Sequence, residues 1–102
     1  MQLIVGDVGA TNARLALAET DGRQVELTHA AVYPSQAHAD FAPLLASFRA
    51  ELPTEVSRAV IGIAGPVIDN ACQATNLPWS LDGAGLAQAA RLDHVELLND
   101  LE

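Results

Sequence analysis

Basic residues are scarce in this chain. Five Lys and Arg stand against thirteen Asp and Glu, a formal net charge of −8 at pH 7. That deficit argues against a nucleic-acid surface, which needs a basic footprint. It argues equally against docking on a membrane through anionic lipid, and it favours solubility. Cysteine is scarcer still. Cys72 stands alone, so no internal disulfide can form, which fits a cytoplasmic location. Its flanks offer no local base, and it reads as a small half-buried residue. Aromatic residues make up 4 % of the chain, so any core must be aliphatic. No apolar run approaches the ~20 residues of a membrane span. No basic start followed by an apolar stretch marks a signal peptide. His29, His38 and His94 lie far apart without metal-ligand spacing.

What remains is an Ala-, Leu- and Val-rich chain of 102 residues, half of them hydrophobic. That suits one domain with a real core, near the small end for independent stability. QLIVGDV (2–8) reads as a short buried strand. NARLALAET (12–20) alternates, with Ala13, Leu15 and Leu17 on one face, and reads as a second strand across a tight GAT turn. Asp21-Gly22 is a strong hairpin signal, followed by a third strand at about 24–32. Phe41, Leu44, Leu45, Phe48 and Leu52 then change to helical spacing, with Pro43 tolerable only in the first turn and Pro53 as the stop. RAVIGIAG (58–65) reads as a strand covered on both faces. The segment 65–79 is expected to form a hairpin excursion with its turn at Asp69-Asn70. Asp82 is placed to cap a short helix to about Arg91, and HVELLND (94–100) is a last buried strand.

The order β-β-β-α-β-(hairpin)-α-β predicts an α/β domain. An antiparallel meander and two parallel strands, joined by right-handed crossovers, form a mixed five-stranded sheet with helices on its faces. In such a sheet, ligands gather outside the carboxyl ends of the parallel strands. Asp7 and the pair Asn99-Asp100 therefore fall at one crevice. Asp7 suits Mg²⁺ held through water. Gly9 and Ala10 suit a turn that offers backbone N–H groups to phosphate, with Thr11 adding a hydroxyl. A plain hairpin turn explains the same residues. Asn99-Asp100 can position and deprotonate a hydroxyl, or simply end a buried strand. Asn76 and Trp79 in TNLPW can line a pocket or lock the hairpin. No Walker loop and no dinucleotide fingerprint is present.

Taken together, GDVGATN-ARLAL, IGIAGPV, TNLPW and ELLND resemble, in order and spacing, the landmarks of bacterial glucokinases of the non-repressor type. These belong to the actin/hexokinase/Hsp70 superfamily, and the resemblance implies the ribonuclease H-like, actin-like ATPase fold. It implies transfer of the ATP γ-phosphoryl group to the 6-hydroxyl of glucose. Gly6, Asp7, Val8, Gly9, Ala10, Thr11 and Asn12 would form the phosphate site, with Mg²⁺ near Asp7. Asn99, and Asn76 with it, would contact the sugar, and Asp100 would be the catalytic base. One departure is Ala10, where the family usually has a second glycine. Family members are longer, and their second phosphate loop, adenosine pocket and remaining sugar ligands lie downstream of this stretch. The chain is thus expected to be an N-terminal nucleotide-binding lobe, inactive alone and prone to self-association through exposed apolar surface. Another sugar kinase of the superfamily, or a non-catalytic α/β interaction domain, are the competing readings.

Overall fold

The computed structural model describes residues 1–74 and 79–99 of the chain. Strands β1 (Gln2–Val8), β2 (Asn12–Thr20) and β3 (Val25–Pro34) form the expected antiparallel meander. The β2–β3 turn forms for the reason its sequence suggests. Gly22 takes φ 91°, and the Asp21 carboxylate accepts the Arg23 and Gln24 N–H groups at 2.9 and 3.0 Å. β3 departs from expectation by running to Pro34 and by carrying a bulge. Leu15 pairs with Ala31 and Leu17 with Thr28, so His29 and Ala30 together oppose Ala16. His29 absorbs the extra residue at φ 55°.

A 3₁₀ turn (Ser35–Ala37) leads to helix α1 (Ala42–Glu51). Phe41, Leu44, Leu45 and Phe48 are buried, as their spacing predicts, and Pro43 does fall in the first turn. β4 (Arg58–Ile63) then returns parallel to β1. The chain next turns at Asp69 and Asn70, both with positive φ (53° and 58°), between mutual Ile68–Ala71 hydrogen bonds of 2.9 and 3.0 Å. That turn precedes β5 (Ala71–Gln73), which pairs with β6 (Ser80–Asp82) in a separate small antiparallel sheet closed by the Ala74 N–H to Trp79 carbonyl bond. The β5–β6 hairpin therefore turns after Gln73, and not at Asp69-Asn70 as expected. Asp82 caps helix α2 (Gly83–Ala90), accepting the Ala84 N–H at 3.2 Å. β7 (His94–Asn99) closes the main sheet parallel to β4, in the order β3-β2-β1-β4-β7.

Register sorts the side chains of that sheet. Ile4, Val8, Leu15, Leu17, Ala59, Ile61, Ile63, Val95 and Leu97 share one face. All are buried in one cluster with Leu44, Leu45 and Phe48 of α1 and Leu86 of α2. The expectation that β4 is covered on both faces is therefore corrected. Both described helices feed a single core on one side, and β4 alternates accordingly between buried Ala59, Ile61 and Ile63 and half-buried Val60 and Gly62. On the opposite face Leu27, Val32 and Leu98 are exposed. No helix among the described residues is long and apolar enough to cross a membrane.

Candidate functional site

The carboxyl ends of the three parallel strands coincide. Val8 of β1 pairs with Ile63 of β4, and Ile63 with Asn99 of β7, so one row of the sheet contains all three ends. Asn99 is exposed at this edge, and the Gly9–Asn12 turn leaves β1 at the same edge. Asp7, one row back, pairs with Gly62 and Arg14 and is exposed. Asp100 and Asn76, expected at the same site, lie outside the described residues.

The turn is built from its carbonyls. The Gly9 N–H donates to the Asn12 carbonyl at 3.0 Å and closes the hairpin. The Ser35 hydroxyl donates to the Gly9 carbonyl at 2.7 Å, and the Ser35 N–H donates to the Thr11 carbonyl at 3.0 Å. The N–H groups of Ala10 and Thr11 take part in none of these bonds. Gly9 was expected to offer its own N–H to phosphate. It spends that donor on the hairpin, so the N–H groups that remain available at the turn are those of Ala10 and Thr11. Ala10 is not among the described residues with positive φ, so alanine at this position carries no left-handed strain.

The two glycines of the motif do different things. A Cβ on Gly6 would stand 2.8 Å from both Ile61 Cδ1 and Leu15 Cδ2. Gly6 is glycine because the core closes over it, and Val8 likewise turns its side chain into the core. Both border the site through their main chain alone. Gly9 has neither positive φ nor crowding; its nearest contact would be Asn12 O at 3.4 Å. Neither its backbone conformation nor its neighbours require glycine there.

The donor set suits a phosphate with a hard cation. Thr11 is exposed and supplies a hydroxyl beside the two N–H groups. Among the described residues no cluster of three or more His, Cys, Asp or Glu could hold a metal by itself. A cation at Asp7 would take carboxylate oxygen, with water and phosphate oxygens available for its shell, which suits Mg²⁺.

Trp79 locks its hairpin. It is buried, packs on Phe41 with ring centroids 5.8 Å apart, and donates Nε1–H to the His38 carbonyl at 3.1 Å. Its own carbonyl accepts the Ala74 N–H at 2.9 Å. Burial pushes the Cys72 thiol up from its ordinary value, in keeping with a small residue packed into the core. Sequence reasoning missed Ser35, the fully buried hydroxyl behind the turn. The signal lay in β3: its continuation to Pro34, opposite Asn12, delivers the next residue to the turn.

Comparison with known proteins agrees with this geometry. The glucokinase family model matches residues 4–102. A glucokinase of Synechocystis is 37 % identical over 111 residues, covering 98 % of this chain and 31 % of that protein. A glucokinase of Caulobacter vibrioides is 31 % identical, covering 95 % of this chain and 30 % of that protein. The crystal structure of glucokinase from an Antarctic psychrotroph superposes with TM-score 0.85 at 26 % identity, over 97 % of this chain and 32 % of that one. A Schistosoma mansoni hexokinase complexed with glucose shares the fold at TM-score 0.64 and 14 % identity, over 98 % of this chain and 29 % of that one. The fold is the mixed α/β, actin-like ATPase fold that the resemblance implies. The chain spans about 30 % of the length of the curated relatives it matches. On the family match over residues 4–102 and these relatives, this chain belongs to the glucokinase family.

Proposed function

We propose that this chain is the N-terminal, nucleotide-binding lobe of a cytoplasmic glucokinase that moves the γ-phosphoryl group of ATP to the 6-hydroxyl of glucose. The observation that carries the reading is the Gly9–Asn12 turn, with unspent N–H groups, at the same sheet edge as Asn99. ATP with Mg²⁺ supplies the phosphoryl group and neutralises its charge. Ala10 and Thr11 donate to phosphate oxygens, and Asp7 orients the hydrated cation. Asn99 accepts or donates to a sugar hydroxyl, Asn76 joins it, and Asp100 takes the proton of the 6-hydroxyl. Positioning and charge stabilisation suffice for this reaction, because phosphoryl transfer asks little covalent chemistry of the protein.

The lobe alone is expected to be inactive, since catalysis needs a second lobe to exclude water and orient the nucleotide. Its uncovered sheet face, with Leu27 and Val32 each 58 % exposed, favours self-association of the isolated chain. No nucleic-acid or membrane partner fits its acidity. The deciding experiment is a glucose-dependent ADP-release assay on the full-length protein, with a panel of hexoses and with Asp100→Asn as control. Activity with glucose above other hexoses, lost in Asp100→Asn, supports the reading. Preference for another sugar would make it a different sugar kinase, and no ATP turnover with any sugar would make it a binding domain.

A further inference from the structure

Ser35 is the one fully buried polar side chain among the described residues. Its two donors go to two carbonyls of a single turn, Gly9 and Thr11. The peptides are trans and planar, so each C=O and the N–H that follows it point in opposite directions. Drawing the Gly9 carbonyl toward Ser35 therefore aims the Ala10 N–H away from it. Ser35 itself is rigidly mounted. Its carbonyl accepts the His38 N–H at 3.3 Å, and the His38 carbonyl accepts Trp79 Nε1–H at 3.1 Å. A chain of hydrogen bonds thus runs from the buried Trp79 to the back of the turn.

The geometry points to Ser35 as a positioning residue for phosphate binding: it holds the Gly9–Ala10 peptide in the orientation that presents Ala10 N–H to an incoming phosphate oxygen. Ser35 never touches the nucleotide. The inference rests on the phosphate-binding reading of the turn. A merely structural hydroxyl would stabilise the fold without distinguishing one substrate from the other, and this separates the two roles.

The test compares wild type, Ser35→Ala and Ser35→Cys in the full-length protein. Ser35→Cys keeps the shape with a weaker donor and a somewhat larger atom. In Ser35→Ala, KM for Mg-ATP should rise about tenfold while KM for glucose stays within about twofold, with Ser35→Cys between. Hydrogen exchange supplies a second readout. Protection of the Gly9 amide should fall at least about tenfold while amides in the middle of β1 keep theirs. With an active wild type, an unchanged KM for Mg-ATP, or equal rises in both KM values, overturns the proposal. Should Ser35→Ala fail to fold, Ser35→Cys carries the same comparison. A wild type without ATP turnover overturns the glucokinase reading instead. Gly9 exchange then decides the anchoring alone, and wild-type protection in the variant refutes it.

Discussion

Gly83 lies directly against the Asn70 carboxamide: a methyl group on Gly83 would overlap Asn70 Nδ2 and stand 2.5 Å from the Val95 carbonyl oxygen. That clearance lets Asn70 lie along the outer edge of β7. It donates to the Val95 carbonyl at 2.8 Å and accepts the Leu97 N–H at 2.8 Å. β7 ends the sheet, so these groups would otherwise be an open edge. Gly83→Ala should destabilise the fold by about 2–3 kcal/mol in urea unfolding. Asn70→Asp keeps the acceptor and loses the donor, and should cost about 1–2 kcal/mol. In an Asn70→Ala background, Gly83→Ala should cost less yet remain unfavourable, because the Val95 carbonyl is still in the way.

The two motif glycines should separate stability from binding. Gly6→Ala presses on Ile61 and Leu15 and should cost about 1–3 kcal/mol, partly relieved by Ile61→Val, which removes the crowding Cδ1. Gly9→Ala meets only the Asn12 carbonyl oxygen, at 3.4 Å, and should leave stability nearly unchanged, within about 0.5 kcal/mol. In the full-length protein it should nevertheless weaken Mg-ATP binding. Equal stability losses in the two variants would refute the distinction.

Asp7 and Asp100 should fail in different ways in the full-length protein. Asp100→Asn keeps the shape and removes the base, so kcat should fall on the order of 10²–10⁴-fold with glucose affinity nearly intact. Asp7→Asn should raise the Mg²⁺ and Mg-ATP concentrations needed and leave glucose binding alone. Asn99→Ala should weaken glucose binding more than Asp100→Asn does. Near-normal turnover in Asp100→Asn would remove it from the base role.

Stability should fall at both ends of the pH range for named reasons. Hydrogen bonds from the Arg23 and Gln24 N–H groups hold Asp21 below 3.8 in the folded chain. Its contribution is present above that value and is lost as pH falls through the lowered one. Burial raises Cys72 above 9.0, and burial together with the Glu51 charge raises Tyr33 above 10.0. Below those ordinary values their contribution is complete, and it is lost as pH climbs through the raised ones. Asp21→Asn should flatten the acid arm of the urea midpoint against pH, and Cys72→Ala the start of the alkaline arm. Native Cys72 should also alkylate at least about tenfold more slowly than in the unfolded chain.

Much of this was legible in the chain itself. β1 and β2 follow from apolar alternation, and the Asp21-Gly22 and Asp69-Asn70 turns follow from residues that accept positive φ. The Asp82 cap and the buried face of α1 follow from local chemistry and spacing. The site was legible as a place, because the order of elements alone brings the ends of β1, β4 and β7 to one edge. Its supports were not. Ser35 and Gly9 are 26 positions apart, Asn70 and Leu97 27 apart, and neither pair leaves a periodic trace. The one-sided cover of β4 was hidden because Gly62 and Val60 look as apolar as the buried residues between them.

The bulge at His29 and Ala30 sets the parity of everything after it. Strand side chains alternate with period two, so one added or removed residue exchanges the faces of all that follow. With the bulge, Ala31 pairs with Leu15 and Tyr33 with Ala13 on the core side, and Val32 faces out. Were β3 instead to pair regularly with all its residues kept, Val32 would turn inward and Tyr33 outward. The chain would then leave β3 with its phase inverted, carrying the Ser35 hydroxyl away from the Gly9 carbonyl. A small irregularity near the middle of an edge strand thus acts as a reading frame for the turn at its far end.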